Sequence, residues 1–140
     1  MRERLSVVIP VFNEEGNIRP VYEAVREEIA GLETDFEIIF VDDGSTDGSL
    51  PLLKELHTDD PHVRVIGFSR NFGHQSAVSA GISAATGNAV ICMDADLQHP
   101  PSMIPRMVEQ WRAGYQVVYT IREDGADTGL LKRWFSSGFY

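Results

Sequence analysis

Basic residues are scarce: twelve Lys and Arg against 21 Asp and Glu leave a formal net charge of −9. That balance excludes nucleic acid as a general partner, because a phosphate backbone is held by clustered cations. It leaves open a phosphate ligand held through a metal ion or a few placed arginines. Cysteine is scarcer still. A single residue, Cys92, excludes an internal disulfide and fits a reducing compartment, and its place in an apolar run marks it as core filling. No apolar run approaches the roughly 18 residues that span a bilayer, and the start MRERLSVVIPV is too short for a secretory leader. Low-complexity tracts and internal repeats are absent as well.

What is present is ordinary for one globular domain: 140 residues, 43% hydrophobic and 24% charged. A chain of this size buries about two-thirds of its unfolded surface, enough for one core. Five short apolar runs recur: LSVVIPV (5–11), FEIIFV (36–41), VRVIGF (63–68), AVICM (89–93) and YQVVYTI (115–121). Most are β-branched or aromatic and read as strands, several apolar enough to be buried on both faces. Helical patterns lie between them. Ile18, Val21, Tyr22, Val25 and Ile29 mark the first, with Asn17 as N-cap and Pro20 in its first turn. Leu50, Leu53 and Leu56 mark the second. The third, 73–85, is rich in Ala, Ser and Gly, which predicts close packing on the sheet, with Gly87 placed to end it. Met103, Ile104, Met107, Val108 and Trp111 define the fourth, closed by Gly114. This alternation predicts an open, mostly parallel, doubly wound α/β sheet with no internal boundary. LLKRWFSSGFY (130–140) reads as the start of an amphipathic helix that stops without a capping signal, as though the chain were cut there.

In such sheets ligands sit at the carboxyl ends of the strands. Reading the residues after each run gives Asn13 and Glu14, Asp42 and Asp43, Arg70 and Asn71, Asp94 and Asp96, and Arg122. A single polar loop proves little, since Asp and Asn often only cap the next helix. Five together point to a site.

The sharpest signal is Asp94-Ala95-Asp96 at the end of an apolar run. Period-two geometry sends both carboxylates to one side, where they repel unless a cation lies between them. Mg²⁺ or Mn²⁺ accepts carboxylate oxygens and keeps positions open for phosphate oxygens. Gln98 offers an amide oxygen, while His99 reads as a loop residue. In VDDGSTDGS (41–49), Gly44 permits a tight turn and Thr46 or Asp47 can cap a helix, so turn chemistry explains Asp43 through Gly48. It does not require Asp42, whose carboxylate could accept a nucleobase N–H. Arg70 is a candidate phosphate or sugar contact, and His74 reads as structural.

The segments VVIPVFNEEGNI, EIIFVDDGSTDGS, RNFGHQSAVSAG and MDADLQHPP together resemble the inverting glycosyltransferases of family 2. Within that family the likeness is to the branch that moves a sugar from a nucleotide donor onto a polyprenyl phosphate, at the cytoplasmic face of a membrane. The resemblance implies a glycosyltransferase-A fold, a Rossmann-like mostly parallel sheet with helices on both faces. It implies a UDP- or GDP-sugar donor, a polyprenyl phosphate acceptor, and Mg²⁺ or Mn²⁺. By position, Pro10, Phe12 and Glu14 match the first nucleotide-binding segment, with Phe12 where Tyr is common. Asp42 matches the base-recognising aspartate, Asp94 and Asp96 the metal motif beside Ala95, and Gln98 an accessory ligand. Arg122 matches a basic residue that meets donor phosphate, and Arg133 falls near a second basic position. Residues 1–140 would then be the nucleotide-sugar-binding part of a catalytic domain. The acceptor-binding half and any membrane helices would lie outside it, and the surface left bare would favour self-association. The alternatives are a nucleotide-binding but idle fragment, a member using a glycan hydroxyl as acceptor, and, more remotely, a phosphoacceptor receiver domain.

Overall fold

The computed structural model describes residues 3–98, 100–121 and 132–136, with the backbone alone for 117–121 and 132–136. They fall into two units, one running to Ser102 and one from Met103.

The first unit holds strands β1 (Arg4–Val11), β2 (Asp35–Asp42), β3 (Val63–Gly67) and β4 (Ala89–Cys92). Helices α1 (Ile18–Ala30), α2 (Ser49–Asp59) and α3 (His74–Ala84) alternate with them. The strands form one parallel sheet in the order β3-β2-β1-β4. Seven of the eight residues of β1 are buried, the pattern of a strand covered on both faces. The helix α1 buries Ile18, Val21, Val25 and Ile29, one stripe at helical spacing. On α3 the small residues do what their size suggests. A Cβ at Gly81 would collide with the Val8 side chain, and Ala77 joins Val8, Ile39 and Val41 in a core cluster. Each such aliphatic side chain contributes about 1.5–3 kcal/mol by leaving water.

Several local expectations are corrected. Asn17 does stand at the N-cap of α1, but its side chain caps nothing and donates to Glu14 Oε2 instead. Gly87 lies beyond the end of α3. It is needed because a Cβ there would press on Ser6, whose Oγ accepts the Gly87 N–H at 2.8 Å. Cys92 is exposed, not core: with β4 paired to β1 along one edge, only Ile91 within it is buried. Partial burial still pushes the Cys92 thiol pKa up.

In the second unit α4 (Ile104–Arg112) is ended at Gly114, whose φ of +108° suits glycine. It is followed by β5 (Val117–Ile121), which was expected as a fifth parallel strand. Instead β5 pairs antiparallel with β6 (Lys132–Ser136), where an amphipathic helix was expected. A partner so near in sequence closes a short loop, which costs less entropy than a distant one. Arg122 and His99 lie outside the described residues. Among those described, no helix is long and apolar enough to cross a membrane.

One buried charge sits at the amino end of the sheet. Glu37, on β2, is 1% exposed. Its Oε2 accepts from Ser6 Oγ at 2.6 Å and from Thr86 N–H and Oγ1 at 2.7 and 2.8 Å. Its Oε1 accepts from Arg64 at 2.8 Å and Arg4 at 3.5 Å. These donors come from β1, β3 and the segment after α3, so one carboxylate fixes three neighbours of β2. Burial alone would raise its pKa; the hydrogen bonds from Ser6, Thr86 and Arg64 outweigh it and hold the value at about 2, down from 4.5. The folded-state value lies below the unfolded one. The stabilisation is therefore complete above about pH 4.5 and is lost as pH falls towards 2, amounting to about 3 kcal/mol. Glu37→Gln should destabilise the protein by about 2–4 kcal/mol at neutral pH and flatten its stability profile between pH 5 and 3. Urea unfolding of both proteins at several pH values measures this; parallel profiles would contradict it.

Candidate functional site

The strand order reverses at β1. From it the chain proceeds outward to β2 and β3, then returns to lay β4 on the other edge. At such a switch point the loops leave in opposite directions and open a crevice at the carboxyl ends of the strands. A cleft of about 430 Å³ lies there. Pro10, Val11, Phe12 and Glu14 line it from the end of β1, and Asp94, Ala95 and Asp96 from the end of β4. Asp43, Asn71, Gly73 and His74 complete it from the loops after β2 and β3.

These loops are tied to one another. Asn13, at φ +52°, turns its Oδ1 to accept the Thr46 N–H at 2.8 Å, while its own N–H donates to Ser45 Oγ at 2.9 Å. The Glu14 N–H donates to Ser49 Oγ at 3.0 Å. Asp43 performs the second tie. Its carboxylate accepts the Phe72 N–H at 2.7 Å, the Gly73 N–H at 3.1 Å and the Asn71 amide at 3.1 Å. Gly44, at φ +73°, lets the two loops touch, since a Cβ there would strike the backbone of Arg70 and Asn71.

The lining has one electrostatic character. Glu14, Asp43, Asp94 and Asp96 supply four carboxylates, and no Lys or Arg is among the described lining residues. His74 Nε2 stands 3.9 Å from Asp94 Oδ1. Among the described residues no three His, Cys, Asp or Glu gather as a metal cage. Two adjacent carboxylates without a third protein ligand still suit a hard divalent ion. Mg²⁺ typically takes one or two carboxylates and fills its other positions with water and substrate phosphate.

Of the residues singled out from sequence, Pro10, Phe12, Glu14, Asp94, Ala95 and Asp96 meet in this cleft. Asp42 is 1% exposed at the end of β2 and is not among the lining residues. Its Oδ2 accepts the Ser45 N–H at 3.3 Å, while its Oδ1 is the one buried side-chain polar atom among the described residues without a partner. Arg70 is stacked on Phe72, 3.9 Å from the ring centroid, and does not line the cleft. Gln98 is exposed, and its backbone N–H donates to Asp96 Oδ1 at 3.1 Å. Arg133 lies in β6, where the backbone alone is described. Two lining residues, Asp43 and His74, had been read as structural. Period-two alternation, which turns Asp43 to the face opposite Asp42, was the available signal for the first.

The sequence pattern of Glycosyl transferase family 2 matches residues 6–138. The chain belongs to this family. It is similar to the bactoprenol glucosyl transferase of Shigella phage SfX, at 42% identity over 137 residues, 98% of this chain and 45% of that protein. It is also similar to the undecaprenyl-phosphate 4-deoxy-4-formamido-L-arabinose transferase of Proteus mirabilis, at 44% identity over 130 residues, 92% of this chain and 40% of that protein. Among solved structures it is similar to glucosyl-3-phosphoglycerate synthase from Mycobacterium tuberculosis, crystallised with Mn²⁺, uridine diphosphate and phosphoglyceric acid. That likeness has 29% identity and a TM-score of 0.60, over 78% of this chain and 39% of that one. This family 2 chain thus spans less than half the length of the curated relatives it matches. Its parallel sheet and helices are the glycosyltransferase-A fold. The receiver alternative falls away, because the acidic pair follows β4 in a sheet ordered 3-2-1-4 rather than 2-1-3-4-5.

Asp43→Ala should free the Phe72 and Gly73 amides and leave the sheet intact. Hydrogen exchange at those two amides should accelerate at least about tenfold, since each loses a hydrogen bond to a charged acceptor. Unchanged exchange would show that the loop after β3 is held by other means.

Proposed function

We propose that this protein passes a sugar from a UDP- or GDP-sugar to a polyprenyl phosphate, with inversion at the anomeric carbon, and that residues 1–140 bind the donor. The observation that carries this reading is the charge of the cleft. Four carboxylates, with no lysine or arginine among the described lining residues, stand where α/β sheets bind their ligands. A diphosphate is repelled by such a wall, and a divalent ion held by its carboxylates would turn that repulsion into attraction. Asp94 and Asp96 would hold Mg²⁺ or Mn²⁺, which supplies neutralisation of the charge that develops on the nucleoside diphosphate leaving group.

The chain's own side chains do the rest. Phe12, 45% exposed in the lining, offers an aromatic face to the base. Asp42 Oδ1, buried without a partner just behind the lining, would be satisfied by a base N–H once the loop over it gives way. Asp43 holds the third wall of the cleft in place. Gln98 would reach the ion only by turning inward, and Arg70 would reach phosphate only by leaving the Phe72 ring. Arg122 keeps the role of a donor-phosphate contact.

The names of the two relatives support the acceptor class, one a bactoprenol and the other an undecaprenyl-phosphate transferase. A phosphate monoester is ionised at neutral pH, with its second pKa near about 6, so the nucleophile needs no protein base. A lipid acceptor would hold the working enzyme at a membrane surface, and a nucleotide-sugar donor favours its cytoplasmic face.

Calorimetric titration of UDP and GDP, with and without Mn²⁺, tests the donor site and identifies the base. Binding should require Mn²⁺, and Asp94→Asn or Asp96→Asn should weaken it at least about tenfold without loss of fold. In the same series Asp42→Asn should weaken the nucleotide more than inorganic diphosphate. Equal affinity of the Asp94→Asn/Asp96→Asn protein and the wild type would refute the reading.

A further inference from the structure

We propose that His74 is a diphosphate contact, its imidazole N–H donating to a phosphate oxygen of the nucleotide held beside Asp94. The inference rests on the donor-site reading above and adds a residue to it.

It follows from which donors the cleft leaves uncommitted. Among the described lining residues there is no Lys or Arg, and His74 is the one basic side chain. The Asn71 amide is already given to the Asp43 carboxylate and carbonyl, at 3.1 and 3.3 Å. The other described histidines with ring contacts are tied into the fold. His57 Nδ1 bonds the Val63 carbonyl at 2.7 Å, and His62 bonds Asp60 at 2.9 Å while stacking on Phe36. The His74 side chain is 64% exposed, and its Nε2 lies 3.9 Å from Asp94 Oδ1, beyond hydrogen-bonding reach. Its backbone, in contrast, is fixed. Gly73 before it has φ +108° and donates its N–H to Asp43, and the Gly73 carbonyl accepts the Ala77 N–H at 3.2 Å in the first turn of α3. A rigid stem thus carries a ring with an unused donor next to a carboxylate assigned to the metal. A phosphate oxygen shared between that ion and the ring would satisfy both. Asp94 alone does not account for the ring's position, because a histidine serving only to anchor it would close to about 2.7–3.2 Å.

The test compares wild type, His74→Ala and His74→Gln on three readouts: thermal unfolding, Mn²⁺ binding followed by electron paramagnetic resonance, and UDP binding in saturating Mn²⁺ by calorimetry. His74→Ala should unfold as the wild type does, bind Mn²⁺ equally, and lose about tenfold in UDP affinity, the loss expected for one hydrogen bond to a charged acceptor. His74→Gln, which keeps an N–H, should lose less. UDP affinity unchanged in His74→Ala overturns the proposal and leaves the donor site standing. A fall in Mn²⁺ affinity equal to the fall for UDP also overturns it, making His74 a metal ligand. A wild type that binds neither UDP nor GDP in Mn²⁺ overturns the donor-site reading and this inference with it; one that binds GDP alone moves the same His74 comparison to GDP.

Discussion

The arrangement depends on β1 being paired on both edges and buried on both faces. Such a strand must be apolar along its length, and VVIPV is. Because β2 and β4 flank it, the chain leaves it in one direction and returns from the other. The cleft is a product of that return. It brings Phe12 and Glu14 to within one cavity of Asp94 and Asp96, about eighty positions along the chain, with no side chain reaching unusually far.

The two ends of the sheet treat carboxylates in opposite ways. At the amino end Glu37 is buried and accepts from Ser6, Thr86, Arg64 and Arg4. Its charge is matched within the fold, and the result is stability. At the carboxyl end acids line an open cleft with no lysine or arginine among its described residues, and Asp42 buries an oxygen with no partner. Unmatched acceptors cost about 1–3 kcal/mol each when buried. Such a cost persists where a ligand relieves it. The paired Glu37 therefore serves the scaffold, whereas the unpartnered Asp42 Oδ1 carries a cost that the scaffold does not explain.

Much of this was legible in the sequence because its signals are local. The apolar runs of β1 to β3 and the stripe of α1 follow from periodicity, and Asp94-x-Asp96 from the place of two charges at a strand end. What was not legible depends on neighbours distant in the chain. Cys92 sits in an apolar run yet is exposed, because strand burial depends on what covers each face. Glu37 is the one charged residue of the apolar run FEIIFV, and nothing local reveals that Arg64 and Thr86 converge on it. The segment of β6 has helical spacing on paper, but pairing with β5 decides its form. His74 was undervalued for the same reason: its relation to Asp94 exists only once β4 lies beside β1.

In the proposed donor site a metal-bound nucleoside diphosphate sits beyond the carboxyl ends of β1 and β4, which lie side by side. Paramagnetic broadening of amide resonances by Mn²⁺ in the presence of UDP reports that location directly. The account predicts that Phe12, His74, Asp94, Ala95 and Asp96 broaden first, while Thr86 and Gly87 at the amino end stay sharp. Broadening centred at the amino end, or spread evenly over the surface acids, would contradict it.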